Sequence, residues 1–214
     1  GGGAFSGRLT AALVAAGTVA KRALDSMIEP RVTFSAQLFG EEALDSRLAE
    51  AIQAGDSIGG IVEGRIERLP AALGEPFFDS LEGLLAHALF AIPGVKGVEF
   101  GLGFEFARRM GVECRDAIES VDGALRHNHS GGIDGGLSNS NPIVFRIAVK
   151  PAVSFGALET VNLKTGARQI LEPNGRHDAC FARRLPVVVE AVCALVVIDL
   201  FRLSGRMGEA VVEE

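Results

Sequence analysis

Apolar residues return at helical spacing in some stretches of this chain and at alternate positions in others. Leu9, Leu13, Ala16 and Ala20 recur every three or four residues behind Ser6, a residue type that caps helix N-termini, and predict a helix from Ser6 to about Leu24. Pro30 breaks that pattern. Val32, Phe34, Ala36 and Leu38 then alternate, which predicts a strand over 31–39. Leu44, Leu48, Ala51 and Ile52 share one face of a second predicted helix over 41–54. After a glycine turn, Ile61, Gly64, Ile66 and Leu69 give the imperfect alternation of a strand over 58–69. A third helix, from Phe77 to about Phe90, is built on Leu81, Leu84, Leu85, Ala88 and Leu89. The run 97–101 reads as short and extended, and 104–110 as one or two helical turns closed by Gly111. Residues 127–140, mostly Gly, Ser and Asn, read as a loop, and 143–149 as a strand. The longest helix is predicted from Pro186 to about Ser204, with Pro in its first turn, Gly205 just past its end, and an inner stripe of Val187, Ala191, Ala194, Ile198 and Phe201.

Helices and strands mix here without regular strand–helix–strand alternation. That pattern predicts an α+β layered fold rather than a doubly wound parallel sheet. A glycine pair precedes a strand twice, at Gly59–Gly60 and Gly135–Gly136, a faint hint of internal duplication.

Composition narrows the classes. With 214 residues, 48% hydrophobic and 22% charged, the chain has enough apolar surface for a packed core. A formal net charge of −6, no basic stripe, and Phe as the sole aromatic argue against nucleic acid as the main partner. Cys114, Cys180 and Cys193 show no CxxC spacing, which predicts reduced, buried thiols and a cytoplasmic location. The most apolar run, 185–203, carries Glu190, Asp199 and Arg202, so it reads as a core helix rather than a membrane span. Gly1 is not an initiator residue, and the expectation is that the natural N-terminus lies upstream.

Candidate chemistry sits in glycine- and charge-rich blocks: GGGAFSGRLTA at the start, GDSIGG at 55–60, IPGVKGVEFG at 92–101, HNHSGGIDGG at 127–136, VKPAVS at 149–154 and GRHDAC at 175–180. Glycines let backbone amides approach an anion closely, and Arg, Lys, Ser and Asn add donors. The first block suits an anion cradle at a helix N-terminus, with the Ser6 hydroxyl and the Arg8 guanidinium; its bland alternative is a loose start feeding a helix. GDSIGG reads as a helix C-cap and tight turn. Lys96 and Glu99 are close enough in sequence to pair. Lys150, leaving a strand, suits a phosphate, and Arg176 offers a bidentate fork for phosphate or ring oxygens. His127 and His129 have a metal-like spacing, but no further ligands follow at suitable intervals, so no metal is expected. His87 reads as structural, and Arg183 and Arg184 as surface or interface charges, with binding of a substrate phosphate as their alternative. No glycine-rich nicotinamide fingerprint occurs.

Taken in order, the six blocks resemble chorismate synthase, over nearly the whole chain from Gly1 to about Leu203; 204–214 reads as a variable tail after a 1–203 domain. The resemblance implies helices packed between antiparallel sheets, a homotetramer, and a lyase that uses reduced FMN. Its substrate would be 5-enolpyruvylshikimate 3-phosphate, and a 1,4-trans elimination of phosphate without net redox change would give chorismate. It implies flavin contacts from Ser6, Arg8, Pro93, Gly94, Asn128, Gly135, Lys150, Pro151, Ser154 and Arg176, and a proton-handling role for Asp178. It implies neither nucleic acid nor membrane as partner. Departures from the family pattern are Ala4, where a cationic or polar residue is usual, and Ala152 and Val153, where hydroxyl residues are common. The family's two catalytic histidines, one in a Gly-Glu-Ser-His-Gly motif, lie in its N-terminal part, and that motif does not occur here. A polypeptide limited to these residues is therefore expected to be inactive, and a scaffold that only binds FMN or oligomerises is the alternative.

Overall fold

The computed structural model describes residues 6–28, 30–154, 156–172 and 178–205. The expected contacts at Arg176 and the departure at Ala4 lie outside them. Ser6 caps the first described turn and not the α-helix its sequence suggested: its hydroxyl accepts the Arg8 amide at 3.2 Å over the 3₁₀ turn Gly7–Leu9. The α-helix proper, α1, runs Thr10–Met27. Strand β1 (Thr33–Leu38), helix α2 (Glu41–Gln53) and strand β2 (Gly60–Glu67) follow, each shorter by a residue or more than its apolar pattern because the flanking turns belong to glycines and Arg68. Helix α3 is Leu81–Phe90, not 77–90. The Ser80 hydroxyl accepts the Gly83 amide at 3.1 Å and starts the helix there, leaving Phe77 and Phe78 on an exposed 3₁₀ turn.

Strand β3 (Val95–Phe100) precedes 3₁₀ turns at Gly103–Arg108 and Gly111–Cys114. Within the glycine-rich stretch, β4 (Ile133–Asp134) and β5 (Leu137–Ser138) make a minimal hairpin where composition suggested only loop. Strand β6 (Ile143–Val149) has the bounds its alternation predicted. A second hairpin, β7 (Leu158–Val161) with β8 (Arg168–Leu171), had no counterpart in the sequence reading; most of its residues are exposed, so it carries no clear alternation of buried and polar positions. Helix α4, Pro186–Leu203, closes the described chain.

Strands β1, β2, β6 and β3 pair in that order, antiparallel throughout. Period-2 alternation sends Val62, Gly64 and Ile66 of β2 and Ile143, Phe145, Ile147 and Val149 of β6 to one buried face. Ile61 falls on the opposite face, so the inward phase of β2 starts at Val62, one position later than its apolar pattern suggested. Helices α3 and α4 cover the buried face, and α1 lies on α4. This is the α+β arrangement of helices and antiparallel sheets that the sequence pattern predicted.

Helix α4 is buried nearly all round, at Val188, Val189, Ala191, Val192, Cys193, Ala194, Val197, Leu200 and Phe201. Val187, placed on the expected inner stripe, is exposed, and Ile198 is half-buried. The stripe is wider than one face because α4 meets the sheet on one side and α1 on another. Glu190 pins the contact: it takes Lys21 at 2.6 Å and the Ala36 amide at 3.2 Å. On the other face of the sheet Glu99 pairs with Arg146 at 3.0 Å, across the β3–β6 register, and not with Lys96. Among the described residues no helix is long and apolar enough to cross a membrane.

Candidate functional site

The end of β6 is where several of the expected site residues meet. Gly60 pairs with Val149, and Gly59 approaches the Val149 carbonyl and Pro151 so closely that any side chain at Gly59 would strike them. The chain then leaves the sheet through Lys150 and Pro151, both exposed. The Lys150 amide donates to the Gly94 carbonyl at 2.9 Å, which draws the Pro93–Gly94 turn alongside. Gly94 holds a left-handed φ of 92°, and the ring of Phe181 occupies the space a side chain would need.

A third segment arrives from the region before α4. The Ile58 amide donates to the Ala179 carbonyl at 2.8 Å, and the Ser57 hydroxyl donates to the Ala152 carbonyl at 2.6 Å. Asp178 is thus anchored beside the same patch, with Oδ1 accepting the Cys180 amide at 3.1 Å and Oδ2 lying 2.9 Å from Arg184 Nε. Burial pushes the Cys180 thiol up, since its thiolate would lose hydration. Ser154, half-buried, follows four residues after Lys150. Next to this patch lies a cavity of about 430 Å³ lined by Phe39, Arg47, Gly59, Gly60 and Val149 among others.

Pro93, Gly94, Lys150, Pro151 and Asp178 are therefore brought together. Asn128 and Gly135 are not. They sit at the opposite end of β6, where Asn128 Nδ2 donates to the Pro142 carbonyl at 2.7 Å and the Gly136 carbonyl accepts the Leu81 amide at the start of α3. The seven residues of β6 separate Pro142 from Lys150, roughly 25 Å of extended chain. Gly135 has a φ of 59° with open space around it, so backbone conformation alone calls for glycine there. Ser6 and Arg8 lie at the 3₁₀ turn that precedes α1, with Arg8 exposed.

The second region has an anchor that the sequence reading passed over. Asp116, whose side chain is 8% exposed, accepts the amides of His129 and Ser130, each at 2.9 Å, and lies 2.9 Å from His129 Nδ1. His127 stacks on His129 at 5.0 Å between ring centroids. Asp116 thereby shapes the loop that carries Asn128. Phe181 and Arg184 were likewise missed as part of the Asp178 patch. Nothing local marks these residues, because their partners are distant in sequence or on another loop. Three buried side-chain polar atoms remain without a matched hydrogen-bond partner among the described residues: His129 Nδ1 and the two oxygens Asn128 Oδ1 and Asp178 Oδ2. Each of the two oxygens suits a group that presents N–H or O–H.

Comparison with known proteins converges on one family. The family model for chorismate synthase matches residues 1–201. The chain is 50% identical over 207 residues to the chorismate synthase of Chitinophaga pinensis, covering 96% of this chain and 62% of that protein. It is 40% identical to the chorismate synthase of Korarchaeum cryptofilum, covering 96% of this chain and 65% of the relative. A solved crystal structure of chorismate synthase superposes with a TM-score of 0.74 at 26% identity, over 93% of this chain and 64% of that one. The chain thus spans under two thirds of the length of these relatives.

Proposed function

This chain belongs to the chorismate synthase family, and on that premise we propose that its protein converts 5-enolpyruvylshikimate 3-phosphate to chorismate by 1,4-trans elimination of phosphate. The observation that carries the reading is the meeting of Gly94, Lys150 and Asp178, from three separate segments, at one end of β6. Reduced FMN, when bound, would supply the transient electron density that lets phosphate depart without net redox change.

The residues present fit such a group. Buried Asp178 Oδ2 lacks a matched donor among the described residues, as an acceptor for a ring N–H or ribityl O–H group would. Ser6, Arg8, Pro93, Gly94, Pro151, Ser154 and Arg176 are the further candidates for holding it. Lys150, exposed at the strand end, would set a positive charge against a phosphate as its negative charge grows. Asp178 would receive a proton at Oδ2 while the Cys180 amide holds Oδ1. The same reading makes the protein a cytoplasmic homotetramer, with 1–203 one domain and 204–214 its tail.

The test uses the natural polypeptide that carries this chain, supplied with dithionite-reduced FMN. We expect chorismate formation, and a fall in kcat of about a hundredfold or more in Asp178→Asn, within the usual range for a proton-transfer group. Full activity in Asp178→Asn would remove the proton-handling role. No chorismate from the unaltered protein would remove the whole reading.

A further inference from the structure

Asp178 is approached from two sides, and the two approaches differ in kind. Oδ1 accepts a well-formed hydrogen bond from the Cys180 amide at 3.1 Å. Oδ2 lies 2.9 Å from Arg184 Nε, yet the N–H is out of line, and the oxygen is left buried without a matched donor among the described residues. A carboxylate held by one hydrogen bond can still swing about its side-chain torsions and exchange its oxygens. A guanidinium set against the second oxygen stops that motion without using up its lone pair. We propose that Arg184 is the positioning residue for Asp178: with the Cys180 amide it locks the carboxylate in one orientation and leaves Oδ2 as the acceptor facing the bound ligand. This rests on the role given to Asp178 above.

Exposed ion pairs generally count for little, because two long side chains must be immobilised in water. Here the circumstances differ on one side of the pair. The Arg184 side chain is 79% exposed, but that of Asp178 is only 33% exposed. Arg184 also leaves the 3₁₀ turn Phe181–Arg184, whose backbone is tied down by buried Ala182 and by the Phe181 ring lodged against Gly94. Arg183, next to it in the chain, turns the other way and pairs with Asp45 on α2. The two arginines therefore divide the work: one holds α2, the other holds Asp178. A lysine at 184 would keep the charge but lose the planar fork that fixes direction.

The experiment is a double-mutant cycle in the natural polypeptide, with Arg183→Gln as the control. Arg184→Gln is expected to lower kcat about tenfold while the substrate KM changes by less than about threefold, since the residue acts on an oriented group and not on substrate binding. Arg184→Lys should recover part of the loss. FMN affinity, titrated by fluorescence quenching, should weaken in Arg184→Gln but not weaken further when that change is added to Asp178→Asn, and kcat of the double variant should match Asp178→Asn alone. Arg183→Gln should behave as the unaltered protein. Effects of Arg184→Gln and Asp178→Asn that simply multiply, or an Arg184→Gln variant equal to the unaltered protein, would overturn the inference while leaving the role of Asp178 standing. A silent Asp178→Asn would remove that role and the inference with it.

Discussion

Burial governs the three thiols one residue at a time. Cys193 is 2% exposed within α4 and Cys180 is 3% exposed beside Asp178. In each, loss of thiolate hydration pushes the thiol up; at Cys193 the Glu190 charge adds to the effect and Lys21 opposes it. Alkylating reagents attack the thiolate, so a raised pKa means fewer reactive molecules at any given pH. At pH 8 the half-buried Cys114 should be modified first, Cys180 slowly, and Cys193 only once the protein unfolds. Raising the pH should speed Cys180 before Cys193. Peptide mass spectrometry after timed iodoacetamide treatment reads the order directly, and Cys193 labelled as fast as Cys114 would contradict the packing of α4. The same scale shows what a sequence can and cannot disclose about a site. The blocks holding Lys150, Pro93–Gly94 and Asp178 stood out through their glycine and charge content. Their meeting did not, because it depends on the Lys150 amide reaching Gly94 and on Ile58 reaching Ala179 across long sequence gaps. Asp116 shows the limit most plainly. A lone aspartate in an irregular stretch gives no sign that it will accept two amides from a loop 13 and 14 residues further on.

Elements were more legible where one face alone was apolar. Strand β6 alternates cleanly between buried and half-buried or exposed positions, and its bounds follow from its pattern. Helix α4 follows the bounds its sequence predicts but not the predicted facing, since a helix enclosed on two sides carries no polar stripe to orient it. The cause is the second helix. Gly17 of α1 lies against Ala191, and a Cβ at Gly17 would overlap the side chain and backbone of that alanine. The close approach of α1 to α4 thus depends on a single absent methyl group. Gly17→Leu should force the helices apart and lower stability by about 1–3 kcal/mol, the usual range for overpacking a tight contact. Gly17→Ala should cost less, and adding Ala191→Gly should return part of the loss by vacating the same space. Urea midpoints for the three variants test this; an unchanged midpoint in Gly17→Leu would mean that the two helices do not touch there in solution.

At the scale of the molecule the layers assign different stability to different parts. Strand β6 lies between β2 and β3, so its amides and carbonyls are bonded on both sides, and its inward residues Ile143, Phe145 and Ile147 are at most 1% exposed. Hairpin β7–β8 pairs only with itself, and all four residues of β8 are exposed. An isolated two-stranded hairpin has little to hold it in water, whereas a central strand opens only when the core does. Hydrogen exchange followed by mass spectrometry should therefore find amides of 143–149 protected at least about a thousandfold more strongly than those of 158–171. The patch that holds Gly94, Lys150 and Asp178 draws on both regimes. It hangs from the last rung of β6 on one side and from the turn before α4 on the other, so its backbone inherits the protection of the core. The Lys150 amide, bonded to Gly94 just beyond the strand, should consequently exchange with β6 and not with the hairpin that follows. Fast exchange at Lys150 with slow exchange across 143–149 would mean that the turn at Gly94 opens on its own. The three segments of the patch would then be assembled by the ligand and not by the fold.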